Sequence, residues 1–248
     1  MANWNDPQPT KTGFGASPSL NGEVMGQGVT FDAGLRSHML AIYNYMASGV
    51  LLSGIVALLF AQSGMAAQVL ATPMRWVIIL APLAFIFAMS LGANRFSKAT
   101  LQMLFWGFCV IMGLSLSSIF LVFTASSIAS TFFATAGAFA GLSLYGYTTK
   151  KNLSGMGSFM VMGLIGLLIA MVVNIFMQSS TLALVISVLG VLIFAGLTAW
   201  DTQRLKQEYY MLRGTEFAGK AVILGALTLY LDFINMFQFL LSFLGNRE

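Results

Sequence analysis

The sequence predicts an all-α polytopic membrane protein with seven transmembrane helices, the seventh at the centre of the bundle. Its 248 residues are 58% hydrophobic and 8% charged, with a mean hydropathy of +0.83, whereas about a quarter of a soluble domain is charged. The charges divide the chain into apolar runs of about 20 residues or multiples of that length, the span of one membrane-crossing helix. Lys and Arg fall in every second connection between those runs.

Residues 1–34 carry Pro7, Pro9 and Pro18 among repeated Gly and Ser, too little apolar content to offset the entropy of ordering. They are expected to form a flexible cytoplasmic tail ahead of a membrane domain covering residues 35–248. The chain's start lacks a basic segment followed by an apolar one, so no cleavable signal peptide is expected. The spans are placed at residues 39–61, 76–94, 100–123, 131–148, 155–177, 181–200 and 219–244. Two uncharged stretches, Lys98 to Lys150 and Lys151 to Asp201, are each long enough for two spans and read as helical hairpins. Their turns fall at Thr124-Ala125-Ser126-Ser127 and Gln178-Ser179-Ser180, short polar clusters in apolar surroundings.

Those turns are uncharged. The opposite connections carry Arg95 and Lys98, then Lys150 and Lys151, then Arg204, Lys206, Arg213 and Lys220, and the positive-inside rule makes that side cytoplasmic. Lys11 and Arg36 put the N-terminus there too, so seven crossings leave the C-terminus outside; Arg75 and Arg247 are outnumbered exceptions. Basic residues scattered in this way form no basic face, which excludes nucleic-acid binding as a reading. Cys109, the only cysteine, permits neither an intrachain disulfide nor a cysteine-based metal cluster. Gly137 with Gly141, and Gly163 with Gly166, are expected to let helices approach closely. The sixteen Met residues read as core or lipid-facing filler.

Asp232 stands inside the last apolar run, where a carboxylate costs roughly 2.5–3.5 kcal/mol on insertion scales and faces a bundle interior or a watery path. Thr228, Asp232, Asn235, Gln238 and Ser242 recur at intervals of three and four, which keeps them on one helix face. That stripe must turn inward, as pore-lining groups (Asn235 and Gln238) or as a hydrogen-bonded seam holding the bundle together. Asp201 closes the sixth span, and Asp201-Thr202-Gln203-Arg204 also reads as an ordinary polar helix end. Arg95, at the end of the second span, is either a latch on an acid or a topology-setting arginine reaching the interface. Mid-span Asp232 meets Asp201 only if the seventh span is shifted outward or the sixth continues through Arg204. His38, the only histidine, reads as an interfacial residue.

The segment Trp200-Asp201-Thr202-Gln203-Arg204-Leu205-Lys206, followed by Leu229-Tyr230-Leu231-Asp232-Phe233-Ile234-Asn235-Met236-Phe237, strongly resembles the transmembrane Bax inhibitor motif family, in particular its bacterial members. The resemblance covers about Leu35 to Gly245. It implies a seven-helix fold with the last helix central, in a bacterial inner membrane, and a pH-sensitive calcium leak. Asp201 and Asp232 match the family's pair of aspartates, and Arg95 is the nearest match to an arginine bonded to that pair.

Two acids in hydrogen-bond reach cannot both ionise cheaply, so they titrate as a coupled pair, a pH sensor without a histidine. Calcium takes 6–8 oxygen ligands, and Asp201, Asp232, Asn235 and water offer an incomplete shell, a weak site suited to a permeant ion. Protons compete for the same oxygens. The rival reading is an interaction protein regulating a membrane protease or another membrane complex, a role the family also includes, with the N-terminal tail as its sequence support. A proton-coupled transporter is expected to show internal repeats with broken helices, and none stands out. No His-rich metal set, nucleophile elbow or nucleotide loop points to an enzyme, and no tightly bound cofactor is expected.

The charge pattern predicts that a phosphatase fused after the C-terminus is active outside the cell and one fused between Arg204 and Gly219 is not. The opposite activities would invert the topology.

Overall fold

The computed structural model describes residues 22–246, with side chains from residue 33. The chain divides into two compact units, residues 1–37 and residues 38–248; the helical bundle is the second. The helices are α1 (Gly22–Gln62), α2 (Met65–Leu70), α3 (Met74–Gly92), α4 (Lys98–Leu116), α5 (Ala125–Thr148), α6 (Ser154–Met177), α7 (Ser180–Leu212) and α8 (Ala218–Leu244), with a short 3-10 turn at Ser117–Leu121. Seven segments, all but α2, are long and apolar enough to cross a membrane. Among the described residues all regular structure is helical, as the apolar runs predict. Helix α1 begins at Gly22, inside the segment read as a tail, because elongating an existing helix adds one hydrogen bond per residue fixed. Residues 1–21 lie outside the described residues.

The polar clusters read as hairpin turns cap the next helices. Thr124 accepts from the Ser127 N–H at the start of α5 and Ser179 from the Leu182 N–H at the start of α7; Ser97 does the same for Thr100 in α4. Each satisfies a donor that a helix start leaves open. Helix α5 thereby starts at Ala125, six residues before the predicted span. Helix α2 was not predicted; Gly64, at φ 73°, leads into it, a backbone angle natural to glycine.

Side-chain contacts sort the connections onto two ends. Lys220 reaches the Ala93 carbonyl, Gln203 bonds the backbone of Lys151 and Leu153, and Lys206 donates to the Tyr147 carbonyl. Residues 93–97, 149–153 and 213–217 therefore share one end, the basic one. At the other end Asn246 pairs with Thr124 and Ser127, so the end of α8 lies opposite the basic loops.

Helix α8 is the most enclosed span, with 61% of its apolar window buried against 6% for α6. It packs most extensively on α7 and also on α5 and α4. Tyr230 of α8 is fully buried, edge-on to Phe105 and Phe108 of α4, and its hydroxyl bonds Ser53 of α1 at 2.6 Å. Ser53 also donates within reach of the Cys109 carbonyl at 2.7 Å, so one small polar knot ties α1, α4 and α8 together without leaving a buried hydroxyl unpaired. The second span, α3, packs chiefly on α4.

Close helix approach occurs at glycines other than those the sequence singles out. A Cβ on Gly137, Gly141 or Gly166 would meet nothing, and one on Gly163 only the tip of Ile193. A Cβ on Gly146 would run into the Ala199 carbonyl, and one on Gly157 into the Trp200 ring. Spacing alone does not say which face of a helix meets a neighbour. Gly146→Ala should therefore lower the melting temperature in detergent, at a cost of roughly 1–3 kcal/mol for forced repacking against backbone. Gly137→Ala should leave it unchanged or slightly higher.

Candidate functional site

Helix α7 does not stop at Trp200. It runs unbroken for 33 residues to Leu212, and the predicted loop from Arg204 to Gly219 shrinks to residues 213–217. Asp201 is eleven residues from the end of α7 and Asp232 fourteen from the start of α8. Across a tight antiparallel connection those offsets differ by only about 4.5 Å of helix rise, so the two acids stand at nearly one level. Their carboxyl groups lie within hydrogen-bonding reach of each other, and both residues are only 4% exposed. Of the two arrangements that permit contact, continuation of the sixth span is the one observed.

The polar stretch after Trp200 stays helical because its side chains find partners. Thr198 and Thr202 donate to carbonyls one turn back. Thr202 also pairs with Ser143 of α5 at 2.9 Å, which in turn pairs with Tyr43 of α1 at 2.6 Å. Gln203 accepts from the Leu153 N–H and donates to the Lys151 carbonyl, both at 2.8 Å, clamping the connection into α6. His38 stacks obliquely on Tyr209 further along α7, 5.1 Å between centroids.

The arginine beside the acids is Arg204. Its guanidinium lies 2.7 Å from Asp201 Oδ1 and 3.5 Å from a Glu208 oxygen, and it covers the Trp200 ring at 4.9 Å. Arg95, the predicted latch, is exposed in the turn after α3 and joins no ion pair with either acid. The i,i+3 spacing of Asp201 and Arg204 was legible as a helix-surface pair, but reading the segment as a helix end hid it. Asp232 Oδ2 is buried without a hydrogen-bond donor, and the partner of Asp201 Oδ1 is the Arg204 guanidinium. Two carboxylates in this position repel unless a proton or cation lies between them.

A cavity of about 630 Å³ opens beside the pair. Its polar wall is the predicted stripe of α8, Thr228, Asp232, Asn235 and Gln238, with Asp201 and Arg204 from α7. Its apolar wall comes from α3, including Pro82, and from α6, including Leu164. Ser242 leaves the stripe to pair with Ser187 of α7 at 3.1 Å, so the seam reading holds there. Asn235 donates to its own helix at Leu231, which leaves its carbonyl oxygen for the cavity. Among the described residues no group of three or more His, Cys, Asp and Glu side chains comes together. A cation at the pair would thus meet two carboxyls, one amide oxygen and solvent.

Seven long apolar helices enclosing an acid pair at the side of a polar-floored cavity define an all-α polytopic membrane protein. The family described as inhibitor of apoptosis-promoting Bax1 matches residues 35–248, and the chain belongs to this Bax inhibitor-1-like family. It is similar to inner membrane protein YbhL of Escherichia coli K12, 46% identical over 220 residues, 87% of this chain and 94% of the relative. Proteins of Caulobacter vibrioides (47% identical, covering 89% of this chain and 93% of theirs) and Rickettsia prowazekii (45%, covering 88% and 93%) are similar at the same level.

Gln203→Leu should detach the clamp and leave two backbone groups unpaired, a loss of roughly 1–3 kcal/mol per buried group. Trypsin cleavage after Lys150 or Lys151 should accelerate relative to the native protein. Unchanged cleavage would show that the connection is held by other contacts.

Proposed function

We propose that this protein is a pH-sensitive calcium leak of a bacterial inner membrane, controlled by the Asp201–Asp232 pair, with its N-terminus cytoplasmic and its C-terminus external. The observation that carries the reading is the placement of two buried carboxyl groups, within hydrogen-bond reach, on the wall of a polar-floored cavity. Family membership and an inner-membrane relative support it, and the gathering of basic loops at one end supports the orientation.

Two facing carboxylates attract a divalent cation and also a single proton. Protonation removes charge from the cavity wall and competes with calcium, whereas deprotonation leaves oxygens for a transient, incomplete coordination shell. Such a shell favours passage over retention. Asn235 and Gln238 extend the polar path along α8, and the apolar walls from α3 and α6 concentrate the field of the acids by excluding water.

Liposomes containing only this protein and a calcium-reporting dye should show flux that changes with pH across the range where the pair exchanges its proton. Asp232→Asn keeps shape and hydrogen-bonding ability, so it should melt close to wild type while losing most of the pH response. A variant that melts far lower and whose folded fraction conducts normally would make the acid structural. In a double-mutant cycle on the logarithm of the flux ratio between neutral and mildly acidic pH, Asp201→Asn and Asp232→Asn should be strongly non-additive. Additive effects would mean the acids act separately.

A further inference from the structure

A second cavity, of about 390 Å³, lies between the end of α7 and the start of α8, at the end of the bundle that carries residues 213–217. Its walls include Glu208, Leu212, Phe217 and Leu224. It shares two wall residues with the first cavity, Arg204 and Thr228. Arg204 therefore has open space on both sides. Its guanidinium is moored by Asp201 on the inner side, by Glu208 one turn further out, and by the Trp200 ring. Trp200 itself is immobilised against Gly157 of α6, where any side chain would collide with it. A moored positive charge that lines both spaces obstructs passage between them in two ways. It fills volume, and its charge repels a cation.

We propose that Arg204 is the partition between the central cavity and the basic end of the bundle, and that its release from Asp201 and Glu208 joins the two spaces into one path. The assignment rests on the leak reading for its purpose but on geometry alone for its existence. Arginine suits the task because its guanidinium is always charged and its planar fork holds two carboxylates at once. Thr228 stays behind as the small polar residue lining the joined passage; its hydroxyl is bonded to the Leu224 carbonyl of its own helix and offers little obstruction.

Accessibility to a membrane-impermeant thiol reagent, applied to sealed vesicles from the side carrying residues 213–217, tests the partition directly. Glu216→Cys, at an exposed loop position, identifies that side. The parent chain, whose single cysteine Cys109 is buried, gives the background. Leu224→Cys, in the outer cavity, should react at the same rate with or without Arg204. Asn235→Cys, in the central cavity, should react slowly in the parent and about tenfold faster when combined with Arg204→Ala, the change expected when a closed state loses its bias. Removing Arg204 leaves Asp201 without its cation and endangers folding, so Glu208→Gln, which frees one mooring and leaves Asp201 paired, serves as the second variant and should give an intermediate acceleration. Equal Asn235→Cys rates in the parent and in whichever of these variants folds would overturn the proposal. Faster labelling in protein that carries no calcium would leave the partition standing and remove the calcium reading. Calcium flux with unchanged labelling would do the reverse.

Discussion

The unbroken passage of α7 through Trp200 and on to Leu212 is the constraint on which the rest of the site depends. A helix ending at Trp200 would leave Asp201 at its rim, in water, about twenty ångströms along the axis from any mid-span group. Continued to Leu212, about three further turns, the same helix sinks Asp201 to the level of Asp232 and delivers Arg204 beside it. The continuation is stabilised locally: Thr202, Gln203 and Lys206 each bond a neighbouring segment, so the polar residues are solvated by protein rather than by water. Burial of the acids is the consequence.

Opposite faces of α8 meet different surroundings. One face carries Tyr230, locked to Ser53 and ringed by Phe105 and Phe108; it is dry, fully packed and satisfied. The other carries the polar stripe and looks into a cavity walled by α3 and α6. Helix α3 packs chiefly on α4, so that wall is less tightly bound to the acid-bearing helices than α4, α5 and α7 are to α8. A rigid face and a loosely covered face on one helix provide fixed positions for the acids and, in the proposed leak, room for an ion to reach them. Regions with few buried contacts are the ones expected to open first.

Electrostatics supplies the link between the two cavities. Asp201 faces Asp232 on one side and Arg204 on the other. Its oxygens are held by the guanidinium and, in the proposed leak, are contested by a shared proton and by calcium. Strengthening any one of these interactions weakens the others, because each draws on the same charge. In the proposed leak, the occupancy of the acid pair and the position of the arginine are therefore coupled through Asp201.

The apolar runs, their charged boundaries and the polar stripe of α8 were legible in the sequence because membrane insertion depends on the length and hydropathy of each segment by itself. Asp232 was legible for the same reason, as the costly exception inside such a run. Helix continuation past Trp200 and the nearness of Asp201 to Asp232 were left open by the residues themselves, and the replacement of Arg95 by Arg204 as the cation at the pair was not legible. They follow from which side chains of other helices stand ready to receive Thr202, Gln203 and Lys206. The glycines tell the same story: Gly137 and Gly141 have the spacing of a contact motif but face open space, while Gly146 and Gly157, unremarked in the sequence, sit where helices touch. Hydropathy acts one segment at a time and is written in the chain. Pairing acts between segments and exists only once they have packed.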